Sequence, residues 1–343
     1  MIRVLQPCPS PGLLFLPLPC SLHLLLPDYT LCPQNFTMSR ALLITGATGK
    51  QGGSVIDALL ELPNASDFTI LAVTRDSNSG SAKKLAARAS NIKLVEGNLD
   101  DVPALFEAAK KVAQQPIWGV YSVQISMGKG VTFEGEVKQG TDLIDESVKN
   151  NVHHFVYSSV ERGGDEKSWD NATPIPHFQT KQLIEIHLRD KAQGMGWTIL
   201  RPVAFMDNLQ PGFPTKVFLT ALHNHLGDTK PLQWVATADI GFFAAQAFTH
   251  PEEWNHKARG LAGDELTFPQ ISKAFENTTG SPAGTTFWGL GSVLTYMVAE
   301  LGHMIGWFAS DGYKADIANL RSIHPQMMNM ETWLKKKSAF TTK

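Results

Sequence analysis

Residues 45–53 form a glycine-rich segment whose spacing is typical of phosphate binding. Gly46, Gly49 and Gly52 are arranged as G-x-x-G-x-x-G between a short apolar run and an amphipathic stretch. Such glycines permit a tight turn, let backbone approach a diphosphate and allow the next helix to pack closely on the strand. The diphosphate then lies at the positive end of that helix. We expect the turn to bind a dinucleotide through Gly46, Ala47, Thr48, Gly49, Lys50, Gln51 and Gly52.

The residue after the second predicted strand, Arg75, favours NADP over NAD. An acidic residue at this position would accept a hydrogen bond from the ribose 2′-hydroxyl, whereas arginine pairs with a 2′-phosphate. Strand 69–74 is followed by Arg75, and Lys50 in the glycine-rich turn adds positive charge nearby. The alternative is that Arg75 is a solvated surface charge and that Asp76, the next residue, binds the ribose. We expect the cofactor to be NADP.

Two further polar residues follow predicted strands at the same edge of the sheet. Asn98 comes after the third strand, where it would flank the adenine, and Gln124 ends the fourth strand beside the ribose and nicotinamide. Ligands of open parallel sheets bind at the carboxyl ends of the strands, so we expect both residues to contact the cofactor. The alternative for each is an ordinary loop role.

Apolar segments and amphipathic segments alternate from residue 41 onward. The predicted strands are 41–45, 69–74, 92–96, 118–123, 154–158 and 197–200. The predicted helices are 52–62, 102–112, 136–150 and 178–191. Strands separated by helices pair in parallel through right-handed crossovers, with helices on both faces of the sheet. The pattern therefore predicts an α/β fold with a doubly wound parallel sheet of the Rossmann type.

We expect three segments along the chain. Residues 1–37 are rich in Leu and Pro, and we expect them to be unstructured or an extension absent from the working protein, rather than a targeting segment. Residues 38–202 form the NADP-binding domain, and residues 203–343 form a smaller, mostly helical substrate lobe with C-terminal helices packed on it. The segment 287–308 is apolar, but Glu300 and four glycines interrupt it, which favours a packing helix over a membrane span.

The composition excludes several classes of protein. Lys and Arg number 30 against 32 Asp and Glu, so the formal net charge is −2 and there is no global field to hold nucleic acid or an anionic membrane. The three cysteines, Cys8, Cys20 and Cys32, all precede residue 33, which excludes a disulfide, a thiolate metal site or a cysteine nucleophile in the rest of the chain. We expect no metal, no membrane and no direct nucleic-acid partner.

Several stretches together resemble the NmrA-like family, a branch of the atypical short-chain dehydrogenases/reductases that includes isoflavone-reductase-like enzymes. They are the glycine-rich turn with Arg75, residues 177–181, residues 201–209 and the tail 315–325. The resemblance covers about residues 39–335 and implies a Rossmann fold that binds NADP. It also implies cofactor contacts after the sixth strand, through Phe205, Met206, Asp207 and Asn208.

Standard short-chain dehydrogenases carry a Tyr-x-x-x-Lys pair, in which tyrosine gives a proton to the substrate carbonyl and lysine binds the nicotinamide ribose. The resemblance puts Lys181 at the lysine position and His177 at the tyrosine position. A spacing of four places both on one helix face, and imidazole exchanges protons near neutral pH. We expect Lys181 and His177 to be catalytic, although His177 is open to a loop-holding or an inert role. Ser158 and Ser159, at the end of the fifth strand, are weaker candidates for a hydrogen bond to a substrate oxygen.

Two functions stay open. The leading expectation is an NADPH-dependent oxidoreductase that exchanges hydride with a small carbonyl, enone or similar substrate, which enters near Phe205, Met206 and Phe213. The rival is a non-catalytic NADP(H)-sensing regulator that acts through protein partners. The role of His177 discriminates between them, because a regulator would not need it. We expect a cytoplasmic location, or a nuclear one for the regulator.

Overall fold

The computed structural model describes residues 39–128, 130–297 and 299–343. The expectation for residues 1–37 lies outside the described residues. Within them the chain forms ten strands and fourteen α-helices, with 3₁₀ turns at Ala65–Asp67 and Met206–Asn208. No helix of the described part is both long enough and apolar enough to cross a membrane.

The elements keep the predicted alternation of strand and helix. The strands are β1 (Arg40–Ile44), β2 (Phe68–Thr74), β3 (Ile92–Glu96), β4 (Ile117–Ser122), β5 (His154–Ser158), β6 (Gly196–Pro202), β7 (Ala204–Phe205), β8 (Leu232–Val235), β9 (Lys257–Leu261) and β10 (Asp264–Leu266). The helices are α1 (Lys50–Leu60), α2 (Gly80–Ala86), α3 (Val102–Ala113), α4 (Phe133–Lys149), α5 (Lys167–Asp170), α6 (Pro176–Lys191), α7 (Phe213–Leu226), α8 (Thr237–Thr249), α9 (Pro251–Trp254), α10 (Phe268–Thr279), α11 (Trp288–Met297), α12 (Ala299–Ser310), α13 (Ile317–Ile323) and α14 (Met330–Lys336).

Seven strands form one sheet in the order β3-β2-β1-β4-β5-β6-β9. Every neighbouring pair in this sheet is parallel. The chain winds outward in one direction from β1 to β3 and in the other from β4 onward, so the order reverses between β1 and β4. Ligands of doubly wound folds bind in the crevice at the carboxyl ends of such strands. The structure therefore confirms the predicted doubly wound parallel sheet.

The burial of strand β1 shows that helices cover both faces of the sheet. Its residues 41–44 are fully buried, and alternate side chains point to opposite faces. Leu42 and Ile44 belong to the apolar core beneath α1 and α8. Ala41 and Leu43 belong to the core beneath α3, α4 and α6. An apolar strand without polar alternation is what a sheet covered on both faces requires.

The segment after Pro202 contributes to the main sheet as well as to the region over it. Strand β9 pairs with β6 from Thr198↔Lys257 to Pro202↔Leu261, and α8 packs along α1. Strands β7, β8 and β10 form a second, small sheet, while α7, α11 and α12 pack on one another. The Rossmann layers thus extend beyond the boundary that we expected after Pro202, because β9 satisfies backbone groups along the edge of β6.

Candidate functional site

The glycine-rich turn joins β1 to α1 and needs glycine at two positions. Gly46 has φ +59°, in the left-handed region that most L residues avoid. A Cβ atom on Gly52 would lie 2.4 Å from the carbonyl oxygen of Gly46, so the first turn of α1 is packed directly on the preceding loop. The amide of Gly49 donates a 2.8 Å hydrogen bond to the same oxygen. The turn therefore presents bare backbone at the start of α1.

Helix α1 begins without a side-chain cap. Gly49 precedes it in an extended conformation, no side chain of the described residues accepts from its first amides, and its first turn holds no acidic residue. The first amides of a helix lack intrahelical acceptors and carry the positive end of the helix dipole. The geometry at this end of α1 fits a diphosphate held by backbone amides.

Thr45 and Gln124 define the neighbouring part of the crevice. Thr45 Oγ1 donates to the carbonyl oxygen of Tyr121 over 3.0 Å and accepts from the Val123 amide over 2.8 Å, which ties the glycine-rich turn to the end of β4. Gln124 is buried, and its Nε2 donates to Ser122 Oγ over 2.9 Å. Its Oε1 is buried and has no hydrogen-bond partner among the described residues. An unpaired buried acceptor is costly, so this oxygen suits a donor group of a ligand.

Arg75 and Asp76 follow β2 and differ in their surroundings. Arg75 is exposed and forms no hydrogen bond or ion pair with a residue that the structure describes. The Asp76 carboxylate accepts a 2.8 Å hydrogen bond from the Asn78 amide, and its carbonyl oxygen accepts one of 2.9 Å from Ser79 Oγ. Asp76 therefore stabilises its own turn, whereas Arg75 keeps all five of its donors for a ligand.

Side-chain hydrogen bonds hold the loops after β2 and β3. Glu96 accepts from Ser77 Oγ over 2.5 Å and from the Ser77 amide over 3.1 Å, and these bonds lower the pKa of Glu96. Asn98 Nδ2 donates to Asp100 Oδ2 over 2.8 Å, and the Asp100 amide donates back to Asn98 Oδ1 over 3.1 Å. The side chain of Asn98 is exposed and supports the loop that leads to α3.

The segment after β6 returns to the glycine-rich turn through Lys50. Nζ of Lys50 donates to the carbonyl oxygen of Asp207 over 2.7 Å and to Asn208 Oδ1 over 3.1 Å. The Asp207 carboxylate accepts from the amide and the hydroxyl of Thr237, both over 2.8 Å, at the start of α8. The side chain of Met206 is fully buried. Met206 and Asp207 therefore anchor this segment to the fold, and Asp207 stays half-buried.

Lys181 forms a buried ion pair that the sequence did not indicate. Its Nζ donates to Glu136 Oε1 over 2.8 Å, and both side chains are buried. Glu136, in the first turn of α4, also accepts from Thr180 Oγ1 and from Ser126 Oγ, each over 2.8 Å. Ser126 lies in the loop after β4, so this cluster ties Lys181 to the edge of the crevice. A lysine ammonium has three donors, and Glu136 engages one of them.

His177 lies one turn before Lys181 and contacts a residue of the C-terminal segment. Its Nδ1 is 2.6 Å from Glu300 Oε1, and its backbone amide donates to the same oxygen over 3.2 Å. Burial lowers the pKa of His177, while the Glu300 carboxylate opposes that shift. Nε2 forms no hydrogen bond with a residue of the described ranges. That nitrogen is the one available to exchange a proton.

The two serines at the end of β5, Ser158 and Ser159, have separate roles. Ser158 Oγ donates to Gln51 Oε1 over 2.6 Å, which links β5 to the first turn of α1. Ser159 donates to Glu185, which lies in a fully buried cluster with two arginines. Ser159 is therefore part of the core, and Ser158 is the serine that lies beside the glycine-rich turn.

The structure brings most predicted site residues to the carboxyl edge of the central strands. The glycine-rich turn and Gln124 follow β1 and β4, and Ser158 is the last residue of β5. His177 and Lys181 lie in the first two turns of α6. Arg75 and Asn98 lie further along the same edge, after β2 and β3. Phe205 is half-buried and Phe213 is 59% exposed on the segment over this edge.

A family comparison decides where the protein belongs. The model of the NmrA-like family matches residues 38–338. The chain belongs to the NmrA-like family. A curated NmrA-like relative from Aspergillus hancockii, named the NmrA-like family domain-containing oxidoreductase hkm9, is 28% identical over 263 residues, covering 71% of this chain and 74% of the relative.

Solved structures show the same NmrA-like architecture. NmrA, a negative transcriptional regulator in complex with NADP, superposes with a TM-score of 0.62 at 17% identity, covering 88% of this chain and 95% of that one. The NADPH-dependent quinone oxidoreductase QOR2 of Escherichia coli, complexed with NADPH, gives 0.63 at 19% identity, covering 86% and 98%. These likenesses establish the fold.

Glu136 and Glu300 contact Lys181 and His177, and sequence reasoning did not select either of them. Glu136 lies on the buried stripe of α4, in helical register with Gly140 and Leu143, where a carboxylate signals a buried partner. Glu300 is the one acidic residue in the apolar segment 287–308. The sequence shows both carboxylates in apolar surroundings, but their partners, Lys181 and His177, lie 45 and 123 residues away along the chain. The pairings therefore became visible only in the structure.

Proposed function

We propose that this NmrA-like protein is an NADP(H)-dependent oxidoreductase that transfers hydride between the cofactor and a small carbonyl, enone or similar compound. The observation that carries the proposal is the position of the bare-backbone turn 46–52 after β1, at the edge of the sheet where α6, with Lys181 and His177 in its first two turns, also begins. The oxidoreductase name of the relative and the cofactors of the two solved structures support it.

The residues along the crevice fit NADP better than NAD. The amides at the start of α1 would hold the diphosphate, and the unpaired guanidinium of Arg75 would bind the ribose 2′-phosphate. Asp76 is engaged in its turn, which disfavours it as a partner of a ribose 2′-hydroxyl. The unpaired Oε1 of Gln124 would accept a hydrogen bond from the ribose or the carboxamide at the nicotinamide end.

Lys181 and His177 would serve the reacting end of the crevice. When bound, NADPH would supply the hydride. Glu136 orients Lys181, and the other two ammonium donors would hold the ribose hydroxyls. Nε2 of His177 would give a proton to the substrate oxygen as the carbonyl carbon gains hydride, and would take that proton back in the reverse direction. The exposed ring of Phe213 would offer apolar surface to the substrate.

Two adjacent glycines provide a matched test of cofactor binding. Gly52→Ala would place Cβ 2.4 Å from the backbone oxygen of Gly46, whereas Gly53→Ala would place it 3.6 Å from the oxygen of Ala47, an ordinary contact. We expect Gly52→Ala to lose NADPH binding in a fluorescence titration and Gly53→Ala to bind like the unaltered protein. Equal affinities of the two variants would contradict the assignment of the turn.

The reaction itself is tested by the absorbance of NADPH in the presence of ketones, enones, quinones and imines. We expect consumption of NADPH with at least one of these classes, and none with Gly52→Ala. If no class is reduced and NADP(H) instead alters the pattern of limited proteolysis, the rival function, a cofactor-sensing regulator with a protein partner, would be favoured.

A further inference from the structure

One oxygen of Glu300 contacts His177 twice, through the ring and through the backbone. Oε1 lies 2.6 Å from Nδ1 and 3.2 Å from the backbone nitrogen, and the His177 side chain is only 11% exposed. An ionised carboxylate is an acceptor only, so Nδ1 carries the proton in this contact. In the neutral ring the lone pair is then on Nε2, and in the charged ring Nε2 carries the exchangeable proton.

Helix α12 is anchored so that Glu300 keeps this position. Trp307 follows Glu300 by seven residues, two helical turns, and lies on the same face of α12. Its buried ring packs edge-on against Phe178, with ring centroids 5.6 Å apart. His177 and Phe178 are adjacent at the start of α6, so one face of α12 contacts both of them. Packing therefore sets the register that brings the carboxylate to the imidazole.

We propose that Glu300 is a positioning residue for proton transfer: it holds His177 with Nδ1 protonated and leaves Nε2 to exchange the proton with the substrate oxygen. This inference rests on the proposed function. In the direction of reduction, Nε2 would give its proton to the substrate oxygen while the carbonyl carbon gains the hydride that bound NADPH would supply, and the ring would stay neutral until solvent reprotonates it. In the direction of oxidation, Glu300 stabilises the imidazolium that forms, as a carboxylate does beside a catalytic histidine.

Other charged groups also act on His177. The ammonium of Lys181 disfavours the protonated ring, and the Glu136 carboxylate favours it. Both remain in place when Glu300 alone is replaced. A change in the titration of His177 on replacement of Glu300 would therefore report the contribution of that carboxylate.

The experiment separates the charge of Glu300 from its hydrogen bond with the His177 backbone amide at the start of α6. In Glu300→Gln the amide oxygen is still able to accept from the backbone amide of His177, so a role limited to capping α6 would be retained. His303→Gln, at an exposed position of the same helix, is the matched control. The His177 ring is titrated by NMR without substrate, and its resonance is assigned by its loss in His177→Asn. We expect a lower pKa of His177 in Glu300→Gln and an unchanged one in His303→Gln.

Kinetics with a substrate from the NADPH screen provide the second readout. We expect Glu300→Gln to lower kcat/KM about 10-fold or more above the pKa of His177, to move the basic limb of the pH profile to lower pH, and to leave NADPH affinity unchanged. An unshifted titration, or an unmoved pH profile in an active variant, would overturn the role of Glu300 alone. An unaltered protein without turnover would overturn the proposed function, and the proton-transfer role with it.

Discussion

Nζ of Lys181 lies 2.8 Å from Oε1 of Glu136, and the two residues are only 8% and 3% exposed. The pair joins α6 to α4, which pack together over the same face of the sheet. At a buried position each of these charges is stabilised by the other, because neither is able to regain water when its partner is lost. Lys181 is therefore held by the fold itself, independently of any cofactor.

The losses of unfolding free energy caused by replacing each partner of this pair alone are expected to add up to more than the loss in the double variant. Lys181→Met and Glu136→Gln should each lower the free energy of unfolding by about 3–5 kcal/mol, because each leaves a buried group unpaired. The double variant should lose clearly less than the sum. Urea unfolding of the four proteins measures the coupling. The exposed pair Lys273 and Glu276 is the control and should show little coupling; additive losses at the buried pair would contradict the prediction.

Arg75→Ala should reduce the preference for NADPH. A charge-assisted contact with a phosphate contributes roughly 1.5–3 kcal/mol, so NADPH affinity should fall about tenfold or more while NADH affinity changes little. Lys111→Ala removes an exposed positive charge from the last turn of α3, at the opposite edge of the sheet, and should alter neither affinity. Fluorescence titration with both cofactors measures the effect. Equal affinity of the unaltered protein for NADPH and NADH would contradict the role of Arg75.

His177→Ala should separate proton transfer from cofactor binding. We expect turnover to fall by about 10²–10⁴-fold, the usual contribution of a general acid, while NADPH affinity stays nearly unchanged. His187→Ala is the control, since His187 lies on the same helix and pairs with exposed Asp145. Steady-state rates and cofactor titrations give both quantities. A fall of only a few-fold would indicate that Lys181 or a water supplies the proton.

Glu185→Ala should destabilise the fold without touching the crevice. The Glu185 carboxylate accepts from Nη2 of Arg162 and Nη2 of Arg201, both over 2.7 Å, and all three side chains are fully buried. Its loss would leave two buried guanidinium groups unpaired, at a cost of about 3–5 kcal/mol. Glu253→Ala, at an exposed position, should change little. Urea unfolding measures the free energy of unfolding of both variants, and equal values would contradict the prediction.

The pKa of the Glu185 carboxylate predicts that the stability of the fold depends on pH. Burial alone would raise the pKa of Glu185, but the two guanidinium groups outweigh it and hold the pKa below its ordinary value of 4.5. The unfolded chain therefore binds this proton at a higher pH than the folded protein. The stabilisation by Glu185 is fully present above about pH 4.5 and is lost as the pH falls through the lowered value. Unfolding midpoints measured across this range should fall less steeply in Glu185→Gln; parallel curves would exclude the effect.

The sequence by itself determined the central sheet and the glycine-rich turn. Strands β3 and β5 have the predicted bounds, and β1, β2, β4 and β6 begin and end within two residues of the prediction. Apolar periodicity reports burial of a single element, so it needs no knowledge of distant segments. The need for glycine at Gly46 and Gly52 is equally local, because both positions lie in one turn. Strand β9 escaped prediction because its sequence, Lys-Ala-Arg-Gly-Leu, has no apolar run.

Only the tertiary structure decided what the charged residues do. The sequence favoured Arg75 and left Asp76 as the alternative, and the structure adds that the Asp76 carboxylate accepts a hydrogen bond from the Asn78 amide. The partner of Lys181 lies 45 residues away and that of His177 lies 123 residues away, across helices that meet only after the chain has folded. Pairing of buried charges depends on distances between separate elements and on the exclusion of water around them. No local pattern of residue types encodes either quantity.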